Sequence, residues 1–352
     1  MIIGIANNLY PPYGRNSGAE IVAQKMADDL RMAGHEVFII TTKTPVAERP
    51  QEKDIYYLNS HYEQLFAYNN LQKIIWHLGQ LLYPWHHRQL EKIIKERKPN
   101  LVITHNLIGL GFHLPRLLAK HQIEHEHILH DIQLLHPSGL MYWGQEKIID
   151  SLLARCYQLG TRWSLQGAKQ IISPSQWLLT LHQKKEFFKK QKSEVRLNFQ
   201  IQRQETKNLN RPVAFTFIGQ AEKHKGPAIL LAAWRKAGLS QEEAHLTIAG
   251  KGSLSSWLEK ESANYSNVTY LNNLDRAGIK QLLNKTDIVV VPSLVYENSP
   301  TSLWEAASYG LRGLASDIGG IPELSPFLDL TLVPPGDSTA LAAAFKKIVK
   351  AN

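Results

Sequence analysis

Cysteine is nearly absent: of 352 residues only Cys156 carries a thiol. A single thiol excludes an internal disulfide and fits a reducing compartment. Cys156 itself reads as a small core residue rather than a nucleophile. No apolar run approaches the roughly 20 residues that a spanning helix needs. The first residues, MIIGIANNLY, have no basic stretch ahead of them and no small-residue cleavage site. They read as a first strand rather than a secretion signal, and the expected location is cytoplasmic. Acidic residues are scarce in one place: 151–200 holds nine Lys and Arg against two Asp and Glu. The net charge of +9 is therefore uneven, with 24 basic against 17 acidic residues in 1–200 and 16 against 14 in 201–352. Such a surplus argues for an anionic surface touched by the first half. Nothing resembles a nucleic-acid module, so no nucleic-acid partner is expected.

What is present is a globular composition, 43% hydrophobic and 20% charged, in a chain longer than one core usually holds. Two domains are expected, at 1–200 and 212–352, joined by a polar linker at 201–211. Ile2 to Ala6 form an apolar strand; a glycine-bearing loop runs to Glu20. A helix with Ile21, Val22, Met26 and Leu30 on one face then ends at Gly34, before a strand from Val37 to Ile40. Strand, loop, helix, strand opens a doubly wound α/β sheet with the loop at its ligand-facing edge. Val213 to Ile218 start the second sheet, leading through Gly219, Gln220 and Lys225-Gly226 into a helix.

Residues 62–98 read as helical, with Leu71, Ile74, Ile75, Leu78, Leu81, Leu82 and Trp85 at core-packing spacing; an acceptor- or membrane-facing groove is the alternative. The histidine-rich 121–131 reads as a strand that would send alternate histidines to opposite faces, against a metal site. Between 182 and 192 five lysines flank Phe187 and Phe188, a basic-amphipathic patch that suits the anionic face of a membrane or, equally, a solvated helix face.

The densest stretch is Val289 to Glu323. A β-branched strand stops at Pro292; a loop carries Glu297. Asn298, Ser299, Pro300 and Thr301 form a helix start, with Ser299 as candidate N-cap and Pro300 first in the helix. Glu305 follows on that helix. Amides at a helix start carry a partial positive charge and suit phosphate. The two glutamates on either side would serve the ribose and sugar hydroxyls of a nucleotide sugar; the pattern alone equally suits an ordinary strand–loop–helix whose glutamates are solvated.

Glu297 and Glu305, with PSLVYENSPTSLWEAASYG and ASDIGGIPE around them, resemble the E-x7-E block of glycosyltransferase family 4, retaining enzymes of the GT-B fold. PPYGRNSGAE, His130-Asp131 and Gly219…Lys225-Gly226 are similar to its other signatures. The resemblance implies two Rossmann-like domains facing across a cleft, the first binding an acceptor and the second a nucleotide diphosphate sugar, with no metal. It implies that the loop at Ser17 and Gly18 faces the donor phosphates and the acceptor. His130 would meet the donor sugar, and Gly219, Gln220 and Lys225 the diphosphate. Asn298, Ser299, Pro300, Thr301 and Glu305 would complete the donor site, with Glu297, Lys225 and His130 catalytic. Gln220 stands where the family has arginine, Ser17 and Gly18 where it has paired glycines, and Asn272 where it has a glycine beside the base. The acceptor would be a sugar or a lipid-linked sugar in cell-surface polysaccharide or glycolipid synthesis. A catalytically silent nucleotide-sugar binder and a sugar-nucleotide isomerase are the competing readings.

Overall fold

The computed structural model describes residues 1–11, 18–42, 54–60, 62–83, 86–199, 204–209 and 211–351. The chain forms two compact units, one of Met1–Leu140 with Glu146–Asn198, the other of Met141–Gln145 with Phe199–Asn352.

Seven parallel strands make the first sheet: β1 (Ile2–Ala6), β2 (Glu36–Thr42), β3 (Ile55–Leu58), β4 (Leu101–Thr104), β5 (Glu124–Ile128), β6 (Gln170–Ser173) and β7 (Lys192–Val195), in the order β3-β2-β1-β4-β5-β6-β7. In β1, β2 and β4 the apolar runs are continuous rather than alternating, as in strands buried on both faces. Ile5, Val37 and Ile39 bury against Ala23 and Ala27 of the Gly18–Met32 helix. Ile3, Ile103, Ile128 and Ile172 bury together as a second cluster.

The second sheet has six parallel strands: β8 (Val213–Ile218), β9 (Ala244–Ala249), β10 (Val268–Leu271), β11 (Ile288–Val291), β12 (Arg312–Ser316) and β13 (Leu330–Val333), ordered β10-β9-β8-β11-β12-β13. Its core is anchored by Phe215, Trp234 and Phe345, whose rings meet edge-on at centroid separations of 5.7, 4.9 and 5.2 Å. Truncating any of the three to alanine would cost about 3–5 kcal/mol. Strand order reverses between β1 and β4 and between β8 and β11. In such sheets, ligands bind beyond the carboxyl ends of the strands at these reversals.

Several expectations need correction. In the Asn70–Leu82 helix the apolar stripe faces outward: Leu71, Ile74, Ile75, Leu78 and Leu82 are exposed, and the buried face carries Trp76 and Gln80 instead. Trp85 lies outside the described residues. Cys156 is exposed. On β5, His125 and His127 are two apart, so they share a face, and both are buried. The helix over the lysine-rich stretch is Gln176–Lys184, and the chain then turns. Phe187 and Phe188 are buried against the His182 ring, at 5.6 and 5.8 Å. Those phenylalanines have no free face to insert into a bilayer. No helix among the described residues is long and apolar enough to cross a membrane.

Candidate active site

In the second unit the reversal point is built by two loops. One follows β8 and carries Gly219, Gln220 and Lys225; the other follows β11 and carries Ser293, Glu297 and Asn298. Gly226 ties them together. Its φ is +77°, and a Cβ there would lie 1.9 Å from the Pro292 carbonyl oxygen, so only glycine lets the loops close. Gly319 does the same for the loop after β12: at φ +65° a Cβ would come within 2.2 Å of the Glu297 carbonyl oxygen. The next amide, of Gly320, donates to that oxygen at 2.8 Å.

So held, the Lys225 ammonium donates to Glu297 Oε1 at 2.6 Å, and Ser293 Oγ donates to the same oxygen at 2.6 Å. Glu297 is only 13% exposed and Lys225 28%. Burial alone would raise the Glu297 carboxyl. The Lys225 charge and the two hydrogen bonds outweigh it and hold the group below its usual value. Lys225 has three donors, so pairing with Glu297 leaves others for an anion.

The helix after Glu297 is Thr301–Ser308. It starts one residue later than expected: Pro300 is the N-cap, in extended conformation. Ser299 is not the cap, because its Oγ accepts the Trp304 indole N–H at 2.7 Å. Asn298 is buried and Thr301 partly so. Glu305 is partly buried, and its carboxylate makes no hydrogen bond or ion pair with a described residue. Burial raises it, with Arg276 pulling the other way. Gln220 is exposed. His224, one of two groups that could replace the missing arginine charge, is shifted down by burial and then by Lys225, so it is neutral near pH 7. Lys223 is exposed beside it. The short segment Met141–Gln145 also belongs to this unit: the Trp143 amide donates to the Leu294 carbonyl and the Tyr296 amide to that of Met141, both at 2.9 Å.

The first unit places His130 just beyond β5 and His105 just beyond β4. His105 Nδ1 and His130 Nε2 lie 2.7 Å apart, their rings stacked at 5.0 Å. One ring must donate and the other accept, so both cannot carry a second proton. Burial lowers His130 to about 4. Beneath them the Thr104 hydroxyl bonds His125 Nε2 at 2.7 Å and His127 Nδ1 at 2.8 Å. The hydroxyl has one proton to give, so at least one of these two rings must donate to it. Asp131 is pushed up to about 6 by burial, partly countered by the Gln133 amide at 2.6 Å. Among the described residues no group of three or more His, Cys, Asp and Glu is arranged to hold a metal. Gly18 opens the Gly18–Met32 helix, and Ser17 lies outside the described residues.

Sequence reasoning missed His105 and Ser293. The available signal was position: His105 directly follows β4 and Ser293 comes two residues after β11, both buried strands at a sheet reversal.

Residues 16–199 match the family described as Glycosyltransferase Family 4, and 212–351 that described as Glycosyl transferases group 1. The chain belongs to glycosyltransferase family 4. This glycosyltransferase is 27% identical to an uncharacterized 42.6 kDa protein in the cps region of Klebsiella pneumoniae, over 93% of this chain and 88% of that one. It is 29% identical to the amylovoran biosynthesis glycosyltransferase AmsK of Erwinia amylovora, over 40% of this chain and 37% of AmsK. Among solved structures it is similar to sucrose-phosphate synthase from Thermosynechococcus elongatus, with a TM-score of 0.69 at 16% identity, covering 99% of this chain and 90% of the other. Anabaena HepE in complex with UDP-glucose gives 0.67 at 18% identity, covering 100% and 90%. These structural likenesses identify the fold as GT-B.

Proposed function

We propose that this glycosyltransferase moves a glycosyl unit from a nucleotide diphosphate sugar to an acceptor hydroxyl with retention, in assembly of a cell-surface polysaccharide or glycolipid. The observation that carries the reading is the Lys225–Glu297 pair, held at 2.6 Å beyond β8 and β11 and followed directly by the Thr301–Ser308 helix start. A pyrophosphate is the ligand such a place suits: free amides on one side, an ammonium on the other. Glu305, mostly enclosed and without a hydrogen bond to a described residue, would receive ribose hydroxyls. Gly219, Gln220, Asn298, Ser299 and Pro300 would line the same donor site. His130, neutral near pH 7, would bond the donor sugar, with Ser17 and Gly18 near the donor phosphates.

No carboxylate is marked by its surroundings as a covalent nucleophile, which favours front-face attack. In that scheme the bond from the anomeric carbon to the diphosphate oxygen breaks as the acceptor oxygen bonds to the same face. The acceptor proton passes to the departing diphosphate, whose charge is stabilised by Lys225 and the helix start. Positive charge is drawn from side chain and backbone, and the scheme calls on no metal or cofactor. The Klebsiella relative from a cps region and AmsK, named for amylovoran biosynthesis, support a polysaccharide or glycolipid product. HepE, solved with UDP-glucose, supports the donor class.

The test is a panel of nucleotide sugars assayed for hydrolysis and transfer, with the product anomer assigned by NMR and a parallel arm in EDTA. Retained configuration and EDTA-insensitive turnover are expected. Binding without turnover would leave a silent nucleotide-sugar binder, and interconversion of the donor sugar would make it an isomerase.

A further inference from the structure

Amphipathic logic is inverted on the Asn70–Leu82 helix of the first unit. Leu71, Ile75 and Leu82 are 66%, 61% and 82% exposed, with Ile74 and Leu78 beside them on the same stripe. A solvent-facing helix normally presents charge there. The Leu152–Ser164 helix packs alongside: a Cβ on Gly160 would lie 3.1 Å from both methyls of Leu81. It too turns apolar side chains outward, Leu152 at 78%, Leu159 at 61% and Trp163 at 49% exposed. Together they make an apolar face far beyond the scattered exposed residues of ordinary surfaces.

Charge narrows the occupant. Neither helix contains an acidic residue, while they carry Lys73, Arg155 and Arg162. In the flanking segments Asp150 is engaged by Lys185, and Glu186 by Lys189 at 2.8 Å and by Arg162 at 3.1 Å, which leaves Lys73 and Arg155 as the cations of the two helices for a lipid surface. The Arg116 guanidinium sits 3.3 Å over the Trp163 ring. A second copy on this face would bring like charges together. An anionic leaflet would pair them, and Trp163 and Tyr83 at the helix ends are side chains that favour the headgroup level.

We infer that this two-helix face docks on an anionic lipid bilayer, the aliphatic stripes entering the headgroup–acyl boundary and the basic residues pairing with lipid phosphates. Binding needs no substrate, so its failure would leave the proposed glycosyl transfer standing. The measurement is sedimentation of the full chain with phosphatidylglycerol-containing and pure phosphatidylcholine vesicles at low and high salt, with light scattering of the protein alone.

Binding to the anionic vesicles that weakens with salt is expected. The pair Ile75→Glu and Leu78→Glu should weaken it about 100-fold, because both side chains lose their apolar anchor. Arg155→Gln should weaken it about fivefold. All three positions are exposed, so circular dichroism and donor turnover in solution should not change. No vesicle binding, or binding that survives the glutamates, would overturn the inference. A dimer dissolved by the same glutamates would give the face to a second copy.

Discussion

The two units set their candidate groups in equivalent places, beyond the carboxyl ends of the strands at a sheet reversal, with opposite electrostatics. In the second unit the groups are charged: Lys225 and Glu297 form an ion pair next to a helix start. In the first they are imidazoles kept neutral by enclosure, His105 against His130, with His125 and His127 bonded to one threonine within β4 and β5 themselves. A charged cradle binds an anion and tolerates acid until its carboxylate protonates. A neutral histidine cluster offers hydrogen bonds without charge and is vulnerable as soon as imidazole titrates.

The largest effect that separates them is acid. Burial lowers His125 to about 3, and His77, His113, His130 and His182 to about 4, from an ordinary 6.5. A lowered histidine stabilises the fold fully above 6.5, and that contribution is lost as pH falls from 6.5 toward 4. For the fully enclosed His125 and His182, protonation costs about 5 and about 3 kcal/mol respectively. Each also has a ring nitrogen without a hydrogen-bond partner, His125 Nδ1 and His182 Nε2, which would become a buried unpaired N–H. Asp131, raised to about 6, and Glu126, also raised by burial, act in the opposite direction but are fewer than the lowered histidines. In the second unit Glu297 lies below 4.5, so its contribution persists until pH falls below that value. His224 and His245 shift down there too, but neither is fully buried. Hydrogen exchange on the intact chain should show β4 and β5 amides losing protection between pH 6 and about 4, before those of β8 and β11. Simultaneous loss would break the contrast.

The same contrast explains what could be read in advance. The second unit's loops were legible because their chemistry demands particular residues: glycine at 226 and 319 where a Cβ would strike a carbonyl oxygen, lysine before one and glutamate opposite the other. The alternation of strands and helices was legible from apolar periodicity. The first unit hid more. A histidine has two ring nitrogens and two neutral tautomers, so its role depends on its partner, and the His105–His130 bond spans 25 residues of sequence. Periodicity also could not tell which face of the Asn70–Leu82 helix turns inward, since Trp76 and Gln80 fill the core while five aliphatic residues look out. Ser299 misled because a serine before Pro-Thr is an ordinary cap. Here the Trp304 indole takes its oxygen.

Next in size is Lys225→Ala. Losing a preorganised cation at the leaving diphosphate should lower kcat by about 10²–10³-fold and leave Glu297 buried beside Ser293 without its counter-ion. Glu297 should then titrate higher, so the acid limb of the residual rate should move to higher pH. A rate within threefold of wild type would remove Lys225 from the chemistry. The His105→Asn variant would then become the first place to look.

A smaller loss is expected from Glu305→Ala. The carboxylate is mostly enclosed, is raised by burial with Arg276 pulling the other way, and makes no hydrogen bond with a described residue; hydrogen bonds to ribose hydroxyls would repay that enclosure. Removing them should weaken nucleotide-sugar binding about tenfold. Stability should stay level or rise, because an unpaired carboxylate is costly to bury. Calorimetry giving unchanged affinity would take Glu305 out of the donor site while leaving the Lys225 result untouched.

The smallest effect tests the departure from the family at Gln220. The side chain is exposed on the loop between β8 and Lys225, so arginine can be accommodated there without repacking. Restoring a planar, permanently charged group would add a charge-assisted contact to a diphosphate. Exposure and salt screen it, so the gain should be modest, about three- to tenfold in donor affinity, and should shrink as ionic strength rises. Titration of wild type and Gln220→Arg with the nucleoside diphosphate at two salt concentrations measures it. If affinity is unchanged at low salt, position 220 does not reach the phosphates. The second unit's positive charge toward the donor would then come from Lys225, the exposed Lys223 and the helix start alone.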